Sequence, residues 1–512
     1  MSLSDQPAHN VAAPVNALAI TIIATVATGM QSLDMTIVNV ALPHMEASLN
    51  AAHDQIAWVL TSYIVAMAIA TPCVFWLANR FGRKRLFIAS ITGFTVVSIF
   101  CGVAQTLPEM VLFRLVQGVC AAALLPLSQA IMLDTHPRES LGRAMALWGT
   151  GTTVAPTLGP ILGGYLTDQF NWRWCFYVNL PIGIFGVIAA VAFIPETGRN
   201  FERKFDWQGF GFLALVLACF QLVMDRGEQN GWLQSPEIKI EAALALFGLY
   251  MFLVHSATTK QPFFDPAMFR DRTFMLSLIL IAGGGMLINA QVFLAPLLMQ
   301  TELNYPVITS GLLMGPRGVA TIVATITYGR VSQMVDSRLL IMIGFLLCGV
   351  SMYIMSGWSL AVPEHEIVFA SSLQGFGIGL ALCPLPALTF STLPPRLRTE
   401  GSGLFALIRN LAGAIGLSVI ASQLTELAQA NHARLGTYFT PFRHLSDVSN
   451  VAGTTGMKVL DLTVTQQANM IAFINVFRLL ALLSFGFAMV PLIIQRGKQP
   501  PRRQENAAIL IE

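Results

Sequence analysis

The chain has 512 residues, of which 54% are hydrophobic and only 11% are charged, and its mean hydropathy is +0.64. Because an average soluble domain has about 25% charged residues, this composition excludes an ordinary soluble protein. The net charge of +3 comes from basic residues distributed between apolar segments, so the chain has no basic face for a nucleic-acid partner.

The first part of the chain contains six segments long enough to cross a membrane. Residues 1–16 are polar and lack the basic region and cleavage site of a signal peptide, so the first span is expected to be retained. A spanning helix needs roughly 20 mostly apolar residues, and such segments lie near 17–42, 55–78, 86–105, 109–132, 144–166 and 175–194. They predict an N-terminal six-helix bundle over residues 17–194.

The remaining spans form an inserted pair and a second group of six. Residues 195–272 contain the pair, near 208–225 and 238–257. The second group, near 273–299, 308–329, 339–358, 366–388, 402–423 and 469–494, predicts a C-terminal bundle over 273–494. The predicted fold class is therefore an all-α polytopic membrane protein with two six-helix bundles, two inserted helices and about fourteen spanning helices.

The distribution of lysine and arginine predicts the orientation. Most of these residues lie in alternate connections, such as the basic turn after the second helix. Because cytoplasmic loops are enriched in Lys and Arg, that side is expected to be cytoplasmic, together with the N-terminus and the tail 495–512. The polar connection 424–468 then lies on the extracytoplasmic side, and its unusual length makes it a candidate partner-binding element.

The fifth span has a regular pattern of small residues and prolines. Gly151, Ala155, Gly159 and Gly163 recur every four residues, which forms a smooth helix face against which another backbone packs closely. The other members of this segment are Pro156, Pro160 and Gly164. Since proline removes a backbone donor and clashes one turn back, the pattern predicts a tightly packed helix that bends at a fixed place.

Two charged residues within the spans are candidates for proton coupling. Asp34 lies well inside the first helix and Arg114 inside the fourth. A charge at membrane depth costs at least about 2.5–3.5 kcal/mol, and a carboxylate in an apolar cavity takes up a proton more readily than one in water. A proton-coupling pair is one interpretation. The alternatives are an Asp34 that only staples neighbouring helices and an Arg114 that only binds helix carbonyls.

Other polar residues in the spans are candidates for the substrate cavity. Gln117 and Ser128 are spaced so that they share a helix face with Arg114. Arg317 and Arg409 lie in apolar spans of the second group, where each either lines a cavity and contacts an anionic group or forms a structural salt bridge or carbonyl contact. The structural use is the more ordinary one.

A short basic turn joins the second and third helices. It contains Asn79, Arg80, Gly82 and Arg83, and two interpretations remain open. The turn either holds helix ends together in one conformation and releases them in another, or it only sets topology by its charge. The sequence has no P-loop for ATP, so if transport is the activity, it must use an ion gradient. No cofactor or metal site is expected.

These segments, in this order, resemble the major facilitator superfamily, and specifically its fourteen-spanning drug:proton antiporters of the EmrB/QacA type. The resemblance is carried by the segments Leu33 to Pro43, Arg114 to Gly118, Gly151 to Gly164, Trp172 to Trp174 and Asn179 to Gly183, while Leu125 to Gln129 and Met224 to Gly227 are similar to the EmrB branch. The chain departs from the family's cytoplasmic motif at Phe75, where the family has Gly, and at Asn79, where it has Asp. A charge relay at this turn is therefore not implied.

The resemblance implies alternating access and the export of hydrophobic or amphiphilic compounds in exchange for protons, with Asp34 and Arg114 in the proton and substrate pathway. It implies a bacterial inner-membrane location, contact with lipid, and a periplasmic adaptor protein and outer-membrane channel as partners. The alternatives are a proton-coupled transporter of one metabolite or siderophore-like compound, and a sensor or scaffold that transports nothing. The cost of burying Asp34 and Arg114 argues against the scaffold.

Overall fold

The structure is a computed structural model. It describes residues 16–56, 58–136, 138–196, 205–227, 230–259, 262–331, 334–394, 397–437 and 454–494. These residues are almost entirely helical and contain no β-strand. The N-terminal residues 1–15 and the tail 495–512 lie outside the described residues.

The N-terminal bundle contains ten helices because several predicted spans are divided. They are α1 (Ala17–Ser48), α2 (His53–Ile56), α3 (Trp58–Ala70), α4 (Cys73–Phe81), α5 (Arg83–Val103), α6 (Leu107–Ala121), α7 (Leu124–Thr135), α8 (Arg138–Gln169), α9 (Trp174–Tyr177) and α10 (Asn179–Phe193). The second span bends by 58° between α3 and α4, where Pro72 has no N–H. The fourth span is interrupted at Ala122 and Ala123, because Pro126 cannot donate to the carbonyl of Ala122.

The inserted pair consists of α11 (Trp207–Arg226) and α12 (Pro236–Thr258). Asp206 begins α11, and its Oδ1 accepts a hydrogen bond from the N–H of Gly209 at 2.9 Å. The two helices differ in their surroundings. In α12 only Ile238 and Gly248 are buried, as expected for a lipid-facing helix, whereas α11 packs against both α3 and a helix of the second bundle.

The C-terminal bundle contains seven helices. They are α13 (Arg272–Leu297), which continues into a π-helical turn (Leu298–Glu302), α14 (Val307–Val331), α15 (Ser337–Met355), α16 (Glu364–Leu382), α17 (Leu385–Thr389), α18 (Arg398–Gly436) and α19 (Thr454–Ile493). Within the described ranges, eleven helices are long and apolar enough to span a membrane, and the bent α3–α4 pair makes a twelfth. With α8 and α14, which are 32 and 25 residues long, the predicted number of spans is accounted for.

The connection predicted at 424–468 is helical in its described parts. The helices α18 and α19 have 39 and 40 residues, so at about 1.5 Å per residue each is roughly twice as long as the hydrocarbon core is thick. Asn431 donates to the carbonyl of Ala468 at 3.4 Å, and His432 Nε2 lies 3.2 Å from Asp461 Oδ1. The prediction ended both helices where apolarity ended, but Ala, Leu, Gln and Glu continue to favour helix beyond that point.

Each bundle has its own hydrophobic core, and the two bundles enclose a cavity. They meet along α8 and α14. At one end, α4 and α7 also contact α18, and this is the end that the charge pattern predicts to be cytoplasmic. The cavity lies between the bundles, which contact each other at that end.

Candidate transport cavity and buried ion pair

The cavity has a volume of about 760 Å³ and is bounded by helices of both bundles and by α11. Much of its wall is apolar, and residues representative of the apolar part are Met35, Ile64, Trp148, Pro156, Phe293 and Leu417. Polar side chains stand among them, including Asn39, Gln129, Asn289 and Asn410. A drug-sized ligand needs a mostly apolar concave site of this size with a few polar groups.

Three charged residues line this cavity within the described part of the chain. They are Arg317 on α14, Arg409 on α18 and Asp225 on α11. Arg317 is only 9% exposed. Among the residues that the structure describes, no carboxylate forms an ion pair with either arginine. Both arginines lie on the cavity wall. The structural salt bridge considered from the sequence is not found for either of them among the described residues.

Asp34 and Arg114 form an ion pair that is separate from the cavity wall. Arg114 Nη1 lies 2.7 Å from Asp34 Oδ2, and both side chains are completely buried. The other carboxylate oxygen, Oδ1, accepts hydrogen bonds from Asn179 Nδ2 at 3.0 Å and from Gln117 Nε2 at 3.3 Å. Four side chains from α1, α6 and α10 thus meet at one point inside the N-terminal bundle.

Arg114 has further contacts that fix its position. Its Nε donates to the carbonyl of Val59 at 3.0 Å, and its guanidinium carbon lies 4.1 Å from the ring centroid of Tyr63. Nη1 also donates to Gln117 Oε1 at 2.8 Å. A guanidinium that is paired, hydrogen-bonded and stacked on an aromatic ring is well suited to a buried site. The network connects α3 to α1, α6 and α10.

The two polar residues predicted from the fourth span do not line the cavity. Gln117 takes part in the Asp34 network instead. Ser128 donates to the carbonyl of Leu124 at 2.6 Å and lies 3.4 Å from the carbonyl of Ala24. Like Arg114 and Gln117, Ser128 therefore faces α1, although the helix is interrupted between α6 and α7.

Comparisons with known proteins agree with this architecture. The family model described as Major Facilitator Superfamily matches residues 24–417. The chain belongs to the Major Facilitator Superfamily.

Similar proteins of this superfamily have names that refer to export, resistance or transport. The chain is 32% identical over 494 residues to the multidrug export protein EmrB of Haemophilus influenzae, which covers 94% of this chain and 96% of that protein. It is also 32% identical to the fatty acid resistance protein FarB of Neisseria gonorrhoeae, over 88% of this chain and 90% of that protein. The human organic anion transporter MFSD10 has a TM-score of 0.59 at 15% identity, covering 92% and 99% of the two chains, and shows the fold alone. The protein is therefore a multi-pass transporter of the drug-efflux group.

In this superfamily member the small-residue face of α8 lies directly against α1. A Cβ atom at Gly151 would lie 2.8 Å from the carbonyl oxygen of Thr25, and one at Gly163 would lie 2.8 Å from that of Ile37. At Gly159 a Cβ would lie 2.7 Å from Thr36 Cβ and 3.1 Å from the backbone nitrogen of Ile37. The close backbone approach expected from the spacing is present, with α1 as the partner helix.

The remaining members of the α8 motif have different surroundings. Ala155 is half-buried and lies beside Gly29 of α1. Pro156 lines the cavity. Gly164 has open space where a Cβ would lie, and the side chain of Pro160 lies outside the described residues. The motif therefore combines one face that packs against α1 with a proline at the cavity wall.

The basic turn connects four helices, α4, α5, α7 and α10, at the predicted cytoplasmic end. Gly82 has φ 90°, a backbone conformation that favours glycine, and it separates α4 from α5. Arg83 forms an ion pair with Asp134 of α7, and Lys84 Nζ donates to the carbonyl of Val191 at 2.9 Å. Asn79 and Arg80 lie in the last turn of α4. The turn therefore holds helix ends together, in addition to any effect of its charge on topology.

Sequence reasoning did not identify two residues as functional. Asp225 was assigned to the end of a predicted span, although it lines the cavity. Asn179 was assigned only to a matching motif, although it binds Asp34 across 145 positions of the chain. A carboxylate at the very end of an apolar segment is a usable signal for Asp225, whereas helical periodicity gives no signal for the contact between Asn179 and Asp34.

Proposed function

We propose that the protein is a proton-driven antiporter that exports hydrophobic or amphiphilic compounds across the bacterial cytoplasmic membrane. The observation that carries the proposal is the mostly apolar cavity between the bundles, whose wall contains a few polar and charged groups. A cavity of this kind binds many apolar molecules by area burial and orients them with few directional contacts. The name of the similar EmrB proteins, multidrug export protein, supports the direction of transport.

The Asp34–Arg114 pair is proposed to couple transport to protons. Protonation of Asp34 removes the negative charge that Arg114, Asn179 and Gln117 bind. An uncompensated buried guanidinium is costly, so the four-residue network loosens and α1 shifts relative to α6 and α10. Because α1 packs along the glycine face of α8, such a shift reaches the cavity wall. The proton gradient is the energy source, and no cofactor is required.

The extended α18–α19 hairpin is proposed to contact a periplasmic adaptor, through which substrate passes to an outer-membrane channel. The hairpin continues well beyond the length that the hydrocarbon core requires. Its polar side chains in this region, such as His432 and Asp461, are exposed. These features support a protein contact at this end, with both chain termini on the opposite, cytoplasmic side.

The proposal is tested with purified protein in proteoliposomes. An imposed pH gradient is expected to drive uptake or release of fluorescent amphiphiles, and an ionophore that dissipates the gradient should abolish it. Asp34→Asn should lose gradient-driven transport at least tenfold while it still binds the amphiphile. Unchanged transport by a folded Asp34→Asn variant would remove Asp34 from the coupling. Transport at the same rate with and without the pH gradient would overturn the antiport mechanism. If none of the amphiphiles is transported but a single metabolite is, the alternative of a proton-coupled metabolite transporter is favoured.

A further inference from the structure

Asp225 is the only carboxylate on the cavity wall within the described part of the chain. It lies in the last turn of α11, the inserted helix that packs against α3 and α18. Its Oδ1 accepts from Gln221 Nε2 at 3.1 Å, and it shares a hydrogen bond with the Thr61 side chain of α3. Both partners are neutral, so no protein cation compensates the carboxylate through these contacts.

The other charged and titratable groups near α11 are distributed as follows. Arg226, the next residue, is paired with Glu237 of α12 at 2.6 Å. Glu241 lies one helical turn further along α12. The described helix α3 contributes only Tyr63, which stacks against Arg114, and α18 contributes Arg409 to the cavity. Within the described part of the chain, no ion pair joins Asp225 to Arg317 or Arg409.

The inserted helix bridges the two bundles next to Asp225. Ser418 Oγ of α18 donates to the carbonyl of Met224 at 2.7 Å. Trp232 Nε1 donates to Ser422 Oγ at 3.1 Å, and the Arg226 guanidinium lies 5.1 Å from the ring centroid of Trp58 at the start of α3. Asp225 is therefore held at a joint between α3 and α18, where rocking of the bundles changes the cavity.

We infer that the cavity selects amphiphiles that carry both a basic and an acidic group, with Asp225 binding the basic group and Arg317 and Arg409 binding the acidic group. The three side chains come from three helices, and the protein leaves them unpaired with one another. Charges in a low-dielectric cavity interact strongly with a complementary ligand. A zwitterion gives both the carboxylate and the guanidinium groups of the cavity wall a partner of opposite charge. An acid alone leaves Asp225 without such a partner, and a base alone leaves Arg317 and Arg409 without one. The inference rests on the proposed function, whose substrate class it narrows.

The same carboxylate then exchanges substrate for a proton. A proton on Asp225 removes the negative charge that holds the substrate's ammonium group, so protonation and binding of that group exclude each other. Such exclusion is what antiport requires. The Asp34 pair changes helix packing in this scheme, whereas Asp225 contacts the substrate. Asp225 is consequently a specificity-determining residue contributed by the inserted helices.

The test uses three ligands with one apolar scaffold: amine only, carboxylate only, and both. Wild-type protein in detergent is expected to bind the zwitterion at least tenfold more tightly than either relative. Asp225→Asn should reduce the preference for the zwitterion over the carboxylate at least tenfold and abolish ligand-induced proton release, measured with a pH dye. Arg409→Gln should reduce the preference for the zwitterion over the amine. Asp225→Glu, which keeps the charge, should retain both preferences.

Asp168→Asn on the exposed end of α8 is the matched control, and it should leave the ranking unchanged. A wild-type protein that binds the three ligands equally would overturn the inference, as would an unchanged ranking in folded Asp225→Asn. Either result leaves the proposed function intact if gradient-driven transport persists. Absence of gradient-driven transport in the wild type would instead contradict the proposed function, whatever the ligand ranking.

Discussion

At the scale of single residues, the Asp34–Arg114 ion pair is stable because each buried charge has its partner. Both side chains are buried, and Asp34 accepts hydrogen bonds at both oxygens. Removing two charges from water is expensive, and the pair compensates that cost only while both charges are present. Removing one partner therefore leaves the other as a buried, uncompensated charge.

Asp34→Asn is expected to lower the free energy of unfolding by about 3–5 kcal/mol. The double variant Asp34→Asn with Arg114→Gln should recover part of this loss, because no unpaired charge then remains. Thermal unfolding in detergent measures both effects. Glu237→Gln is the control, since its pair with Arg226 is partly exposed and should change stability by less than about 1 kcal/mol. Strictly additive losses in the double variant would show that the two residues are not energetically coupled.

At the scale of helices, α8 and α1 approach each other closely because glycines, which have no side chain, lie at the contact. Gly159 and Gly163 face the α1 backbone, whereas Gly164 faces open space. Close packing between membrane helices relies on van der Waals contact between such faces. An added methyl group is therefore expected to clash at Gly159 and Gly163 and to be tolerated at Gly164.

Gly159→Ala is expected to slow transport several-fold and to lower stability by about 1–3 kcal/mol, because its methyl group overlaps Thr36. Gly164→Ala is the matched control on the same helix. Replacing glycine by alanine in a helix favours the helix by about 1 kcal/mol at either position. Because Gly164→Ala causes no clash, it should be neutral or stabilising. Transport rates and melting temperatures of the two variants, with membrane insertion checked for each, provide the comparison. Equal behaviour would mean that the α8 face does not limit movement against α1.

The sequence predicted features that depend on local spacing. The glycine face of α8 and the contact between Arg114 and Gln117 follow from helical periodicity, and both are present. Periodicity does not distinguish the cavity wall from the bundle interior, so Gln117 and Ser128, which face α1, lie away from the cavity. The binding of Asn179 to Asp34 and the entry of α11 into the cavity depend on packing between distant segments. Periodicity carries no information about such contacts.

At the scale of the whole molecule, the two bundles contact each other at the predicted cytoplasmic end through residues on α4 and α18. Phe75 is buried there, and its ring lies so near Gly403 that a Cβ atom would be 2.6 Å from Phe75 Cζ. The sequence departs from the superfamily motif at Phe75, where the family has Gly. The large ring thus occupies a space left by a glycine on the opposite bundle, and the two residues act as a complementary pair.

Gly403→Leu should prevent closure of this end, because a packed interface accepts four added carbon atoms only by opening. An overpacking cost of about 1–3 kcal/mol shifts the two-state equilibrium roughly five- to 150-fold toward conformers open there. In a background whose sole cysteine is Cys383, which lines the cavity, an impermeant maleimide should label faster from the predicted cytoplasmic side. Gly436→Leu is the control on the same helix, where a Cβ meets nothing within 4 Å. Adding Phe75→Gly to Gly403→Leu should restore slow labelling, and fast labelling in that double variant would show that the Phe75–Gly403 contact does not govern closure.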